Sequence, residues 1–366
     1  MGGRRLELSK LSKVGARLGE VVLDPASWVG VMEDVCASVG ALGAALLQSD
    51  VRTPDVPRTP SVHDVFDRYF REGWHQRDLR ARGVPLLLRG RKVFTDEDIA
   101  TPEEMRREPF YNECVYPSGL KEFAAVGFFA ESRLWALAIQ RAAGEGPFEM
   151  SELQALAGLA DKLTAAATLS AVVGQTALSA ATEALNLIHQ PALVLDRRGT
   201  VIRTNRAAEN IFDDDFRVRD RRLHVYDKSA AAALDAVMDR MKVSVNLPPI
   251  EPITIRRRLQ RPVIARFHPI PPAARSPFIG ARALLILSSL APKPPLSTNL
   301  LAGTFGLSPA EARLASIMAG GVDLRTAAGE LGVARDTARN QLKAIFAKTG
   351  AHRQSELVEL LAKLQM

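Results

Sequence analysis

Arg335, Arg339, Asn340 and Lys343 crowd into one short stretch, ARDTARNQLKAIFAKTG. Arg and Lys donate hydrogen bonds to guanine edges and phosphates, and an Asn amide pairs bidentately with adenine. The chemistry these residue types offer is recognition of a nucleic acid by hydrogen bonding. Between them, Ala338, Leu342, Ile345 and Phe346 return at helical spacing. The two sets therefore occupy different faces of one helix, from about Arg335 to Lys348.

That helix needs neighbours to hold it. Ser308-Pro309-Ala310-Glu311 opens an earlier one: Ser caps it, Pro suits its first position, and Glu completes a capping box. Ala312, Ala315, Ile317 and Met318 follow on its inner side, and Gly320-Gly321 stops it. Asp323 caps a second helix carrying Leu324, Ala327, Ala328 and Leu331, which Gly332 ends. After Gly350, Leu357, Val358, Leu360 and Leu361 form the inner face of a fourth helix. The middle pair, with its glycine turn and small alanines, has the layout of a helix-turn-helix. An α-helix fits the major groove, which is where the polar set would be used. The competing reading is a solvated polar face on a small helical bundle.

At these residues the chain resembles the LuxR/FixJ (NarL-type) DNA-binding domain. The resemblance rests on Leu307-Ser308-Pro309-Ala310-Glu311, Gly320, Leu331-Gly332-Val333, Thr337-Ala338 and Lys348-Thr349-Gly350, about 58 residues. It implies base reading by Arg339, Asn340 and Lys343 and phosphate contacts by Thr337 and Lys348. Two positions depart from the family pattern. Ala334 stands where relatives cap the recognition helix with Ser or Thr, and Gln341 replaces a common His.

A length of 366 residues suggests two or three domains. The apolar share of 47% and charged share of 24% are ordinary for globular chains. No apolar run is read as long enough for a membrane span, and the basic start lacks an apolar signal core, so a cytoplasmic address is expected. Two distant cysteines, Cys36 and Cys114, argue against a disulfide framework or a cysteine metal site. The formal charge is +7, but residues 303–366 carry 8 basic and 6 acidic side chains, only +2. Residues 185–290 carry 18 and 10, or +8, so overall basicity says nothing about the DNA reader.

Residues 20–150 read as a sensor-type α+β domain. Trp28, Val31, Met32, Val35 and Val39 mark a helix, residues 41–47 a strand, and VRTPDVPRTP a loop. A helix at 62–74, an irregular stretch at 84–116 with helical turns at 96–99 and 102–107, and a hairpin at 121–140 follow. This order resembles a GAF-like sensor or the autoinducer-binding domain of LuxR proteins. The resemblance implies ligand contacts for Tyr69, Trp74 and Asp78, although Leu79 stands where those receptors have Pro. The plainer reading is core packing for the two aromatics and a surface ion pair for Asp78.

Residues 151–184 read as a long connecting helix. Its seam, Leu156, Leu159, Leu163, Ala166 and Val173, fits either a dimerising coiled coil or two helices broken near Gly174. Residues 185–290 contain ALVLDRRGTVIRTNRAAENIF, which resembles the strand, turn, strand and Asn-capped helix that open a PAS domain. Further elements are a helix at 229–241 and strands at 252–258, 262–270 and 281–289. The run Arg256-Arg257-Arg258-Leu259-Gln260-Arg261 at a hairpin tip is either a solvated turn or an extra phosphate contact. Residues 291–302 make a Pro-rich linker before the helix-turn-helix domain at 303–366.

The expectation is therefore a multidomain protein with two α+β sensor-type domains, GAF-like and PAS-like, and an all-α four-helix LuxR-type end. Its function would be DNA-binding transcription regulation by a cytoplasmic homodimer. The partners would be double-stranded DNA and a small molecule sensed by the N-terminal domains, with no membrane. A protein controlled instead by partner-protein contacts, like a response regulator without a receiver, is the alternative. Asp196 ends a strand as a phosphoacceptor would, but a hairpin turn follows it. No nucleophile elbow, P-loop, dinucleotide fingerprint or metal-ligand cluster appears, and the six histidines are scattered. No enzyme activity, cofactor or metal is expected.

Overall fold

The unbroken apolar run LWALAI dictates a strand with two buried faces, and that strand is the spine of the first domain. The computed structural model describes residues 8–49, 54–243, 248–271, 274–290 and 295–364. In chain order the domain comprises α1 (Leu8–Arg17), α2 (Glu20–Leu23), α3 (Ser27–Val39), β1 (Gly43–Gln48), α4 (His63–Arg71), α5 (Val84–Leu88), β2 (Val93–Thr95), α6 (Pro102–Arg107), β3 (Leu120–Ala130), β4 (Arg133–Ala142), α7 (Met150–Ala157) and α8 (Ala160–Leu187). The strands form an antiparallel sheet in the order β1-β4-β3-β2. One face of β4 places Trp135, Leu137 and Ile139 in a core with Trp28, Val31 and Val35 of α3 and Leu156 and Leu163 of the last helices. The other face places Leu134 and Ala138 beside Leu87, Phe94 and Phe123.

Several expectations change. The domain starts before residue 20, because Leu11 and Val14 of α1 are buried in its core. The stretch at 84–116 holds α5, β2, α6 and a π-helical turn, Phe110–Val115. The long helix is broken at Gly158-Leu159, not near Gly174. Gly174 sits inside α8 because a Cβ there would lie 2.4 Å from Ile279 Cδ1, so glycine permits close packing. Leu156, Leu159, Leu163 and Ala166 are buried in the domain's own core, which removes most of the seam from any partner. By length and composition the stretch Met150–Leu187 could cross a membrane, contrary to expectation. Its buried residues make it a core element here.

The second α+β domain contains β5 (Ala192–Asp196), β6 (Val201–Thr204), α9 (Arg206–Glu209), β7 (Phe216–Arg219), β8 (Arg222–Val225), α10 (Lys228–Val243), β9 (Ile253–Ile255), β10 (Val263–Pro269) and β11 (Ala281–Ser289). Its sheet runs β6-β5-β11-β10-β9. Asn205 caps α9 by accepting from the Ala208 amide at 2.9 Å. The β7–β8 hairpin was not anticipated. Its turn residues, Asp220 and Arg221, hold φ of 49° and 58°, a geometry usually filled by Asn-Gly. Asp196 spends its carboxylate on the Arg198 and Thr200 amides, a turn and not a phosphoacceptor pocket.

The two domains share buried contacts. Phe278 packs against Trp28, Phe128 and Trp135, and the Asp55 carboxylate pairs with both Arg197 and Arg282. Two arginines of the basic run are engaged locally: the Arg257 side chain is 1% exposed beside Asp213, and Arg258 binds Asp215 and lies over the Tyr226 ring. The phosphate-contact reading fails for the buried Arg257 side chain.

A separate unit at the C-terminus is helical: α11 (Thr298–Phe305), α12 (Pro309–Met318), α13 (Leu324–Leu331), α14 (Arg335–Thr349) and α15 (Gln354–Lys363). Five helices replace the expected four. The additional one, capped by Ser297, begins inside the segment read as linker, and residues 291–294 of that segment lie outside the described residues. Leu301, Leu314, Met318, Ile345, Leu357 and Leu361 form its core.

Candidate nucleic-acid interface and ligand cavity

In the helical unit, local chemistry sets the pose of α14. Ser308 and Glu311 make the reciprocal capping box of α12, at 3.3 and 2.7 Å. Asp323 accepts from the Thr326 amide at 2.8 Å and starts α13. Gly332 ends α13 at φ 64°, a left-handed conformation that favours glycine, and the chain reverses into α14 within two residues. Ala327, Ala328 and Ala338 are buried, and side chains this small let α13 and α14 approach closely. Ala334 has the extended backbone of a cap but no side-chain acceptor.

Ala338 and Ile345 anchor α14 in the core. Arg335, Thr337, Arg339, Asn340, Lys343 and Lys348 are all exposed. The first five have no side-chain hydrogen bond or ion pair with other described residues. Lys348 differs: its Nζ donates to Glu311 at 2.7 Å. That bond, with the Ser308 amide, holds the Glu311 carboxyl below its usual value. Lys348 is thus fastened to α12, and a phosphate would have to compete with Glu311 for it.

The first domain contains a cavity on the β4 face opposite the α3/α8 core, with about 60 Å³ of clear space inside a hollow of about 760 Å³ that includes its open mouth. Phe66, Phe94, Phe110, Phe123, Leu87 and Leu134 are among its walls. Tyr69 and Asp78 line it, and the Tyr69 hydroxyl donates to Asp78 Oδ2 at 2.8 Å. Asp78 also caps the turn after it by accepting from the Arg80 amide at 2.9 Å. Trp74 does not line the cavity. It is buried beside it, donates from Nε1 to Glu72 at 2.9 Å, and carries Arg77 over its ring at 4.4 Å.

Other polar residues in and behind the cavity wall escaped the sequence reading. Arg80 is buried and binds Asp96 bidentately, at 2.8 Å through both Nε and Nη2. Its guanidinium lies 4.0 Å from the centre of the Phe123 ring. Tyr111 donates to the same Asp96 at 2.9 Å. Burial works against the Arg80 charge, but Asp96 more than offsets it, and the guanidinium pKa ends up raised. Burial, reinforced by Asp96, pushes the Tyr111 hydroxyl up as well, so it stays protonated. Burial also raises the Cys114 thiol to about 11, which keeps it neutral and unreactive near pH 7. Arg80 Nη1 reaches Gln140 Oε1 at 3.2 Å, joining β4 to the network. Of these, Gln140 alone carries a signal that could have found it: a lone amide after an apolar run. No group of His, Cys, Asp and Glu residues able to hold a metal occurs among the described residues.

No family model matches the chain, and no curated protein matches it. Among solved structures, it is similar to the phage VqmA–DPO complex, at 17% identity over 52% of this chain and 90% of that one, with a TM-score of 0.21. It is also similar to the Escherichia coli DhaR(N)–DhaL complex, at 11% identity over 76% and 87%, with a TM-score of 0.23. Similarity this loose assigns no family, and the chemistry of the chain's own residues has to carry the functional reading.

Proposed function

We propose that the protein is a DNA-binding transcription regulator of the LuxR/FixJ type, without enzymatic activity, acting as a homodimer in the cytoplasm. The helical unit reads DNA with Arg339, Asn340 and Lys343. Arg335 and Thr337 meet phosphates, and Lys348 joins them on leaving Glu311. The two α+β domains, GAF-like and PAS-like, are the sensor, and a small molecule in the first domain shifts the population that fits two half-sites. The carrying observation is the α14 face: five exposed polar side chains without partners among the described residues, on the second helix of a glycine-turned pair. Side chains with spare donors on such a helix are free to reach phosphates and base edges. Exposed Leu169 and Val172 on the outer side of α8 offer an apolar strip for the second copy.

Gel-shift titration of the full chain with the promoter DNA upstream of its own gene tests the reading. Binding should weaken steeply between about 50 and 200 mM salt. Arg339→Ala, Asn340→Ala and Lys343→Ala should each cost about 1–3 kcal/mol on the specific site. Failure of every upstream fragment to shift at the lowest salt would argue strongly against the proposal.

A further inference from the structure

The ligand reading can be taken further from one polar side chain on the cavity wall. Gln140 is 4% exposed and lines the cavity. Arginine only donates, so the 3.2 Å contact from Arg80 Nη1 fixes the amide with its oxygen toward Arg80 and its NH2 away from it. That NH2 donates to nothing among the described residues. A ligand oxygen entering the cavity would give this donor an acceptor.

The charges around it limit what can enter. Among the described residues Arg80 is the one cation lining the cavity, and Asp96 already takes it bidentately. Asp78 adds a second carboxylate to the same neighbourhood. An anion would face the Asp78 carboxylate and a guanidinium already neutralised by Asp96. A cation would meet donors at Gln140 and Arg80, and it would shed its hydration among phenyl rings. We propose that the cavity takes an uncharged, largely apolar small molecule and reads one acceptor oxygen on it through Gln140 Nε2. Arg80 acts as the positioning residue: anchored by Asp96, itself held by Tyr111, it locks the orientation of the Gln140 amide. This rests on the reading of the first domain as a ligand sensor.

Calorimetric titration of the full chain with matched probes, 4-butylbenzamide, 4-butylbenzoate, 4-butylbenzylamine and butylbenzene, tests it. The amide should bind at least about tenfold more tightly than either charged probe, since burying an unpaired charge costs far more than a paired neutral oxygen. Gln140→Leu should weaken the amide about tenfold and leave butylbenzene unchanged. Gln140→Glu keeps the bond from Arg80 and removes the donor, so it should weaken the amide likewise even if the leucine variant folds poorly. Equal or tighter binding of the benzoate or the benzylamine would overturn the inference while leaving the sensor reading intact. Unchanged amide affinity in the variants would do the same. If no probe binds, butylbenzene included, the sensor reading of this cavity falls with it.

Discussion

Ala334 offers a test of whether α14 begins where the structure puts it. Its backbone, φ −62° and ψ 147°, nearly matches the caps at Ser308 (−65°, 162°) and Asp323 (−72°, 161°). Those two accept amide hydrogen bonds from the third helical residue at 3.3 and 2.8 Å; Ala334 has no atom to do so. In Ala334→Ser the hydroxyl should accept from the Thr337 amide. A cap of this kind is worth about 1 kcal/mol. That is about a fivefold shift in the opening equilibrium of the first turn. Amide hydrogen exchange on the full chain reads this directly: the Thr337 amide should slow about fivefold, with little change at the far end of α14. Ala334→Asp should protect at least as well, since a carboxylate also favours the helix N-terminus. It also places a negative charge beside Arg335 and Thr337, so it should bind DNA less tightly than the serine variant. Wild-type exchange in both variants would refute the placement of the helix start. Equal DNA affinity in both would refute the claim that this end of the helix approaches phosphates.

Two further predictions come from charge. Asp55→Ala leaves Arg197 and Arg282 buried without their carboxylate, and breaking a buried pair in this way costs about 3–5 kcal/mol. Urea unfolding followed by tryptophan fluorescence should show it, and a loss below about 1 kcal/mol would mean that water reaches the cluster. The helical unit should lose stability in acid. Glu311 is held below its ordinary 4.5 by Lys348 and the Ser308 amide, and Asp323 below its ordinary 3.8 by the Thr326 amide. Folded values below unfolded ones mean stability that is full above the unfolded values and lost as pH falls through the folded ones. Calorimetry should find a melting temperature flat from pH 7 to 5 that declines below 4.5, and Glu311→Gln should shallow that decline.

The helical unit was legible because its signals are local. The Ser308 box, the Asp323 cap and the left-handed glycines at 332 and 350 each act within a few residues. The extra helix α11 hid behind prolines, and its start rests on a single serine. In the first domain, β2 is three residues long and becomes a strand only through its pairing with β3, as in Val93 opposite Val126. No window of sequence shows that. The Arg80–Asp96–Tyr111 network was illegible for the same reason: residues in three separate turns meet only after the sheet has formed. Tyr69 and Asp78 were singled out on an approximate spacing and do line the cavity, whereas Trp74, chosen with them, packs beside it. Gly174 misled because a glycine inside a helix signals either a break or close packing, and only Ile279 decides which.

The central claim, sequence reading by the α14 face, is tested most directly by one ratio. Fluorescence anisotropy at a single salt concentration gives the affinity of wild type and Arg339→Ala for an operator duplex and for a scrambled duplex of equal length. The account predicts that Arg339→Ala loses about 1–3 kcal/mol on the operator and far less on the scrambled duplex, so the ratio collapses. An unchanged ratio, with both affinities intact, would contradict it.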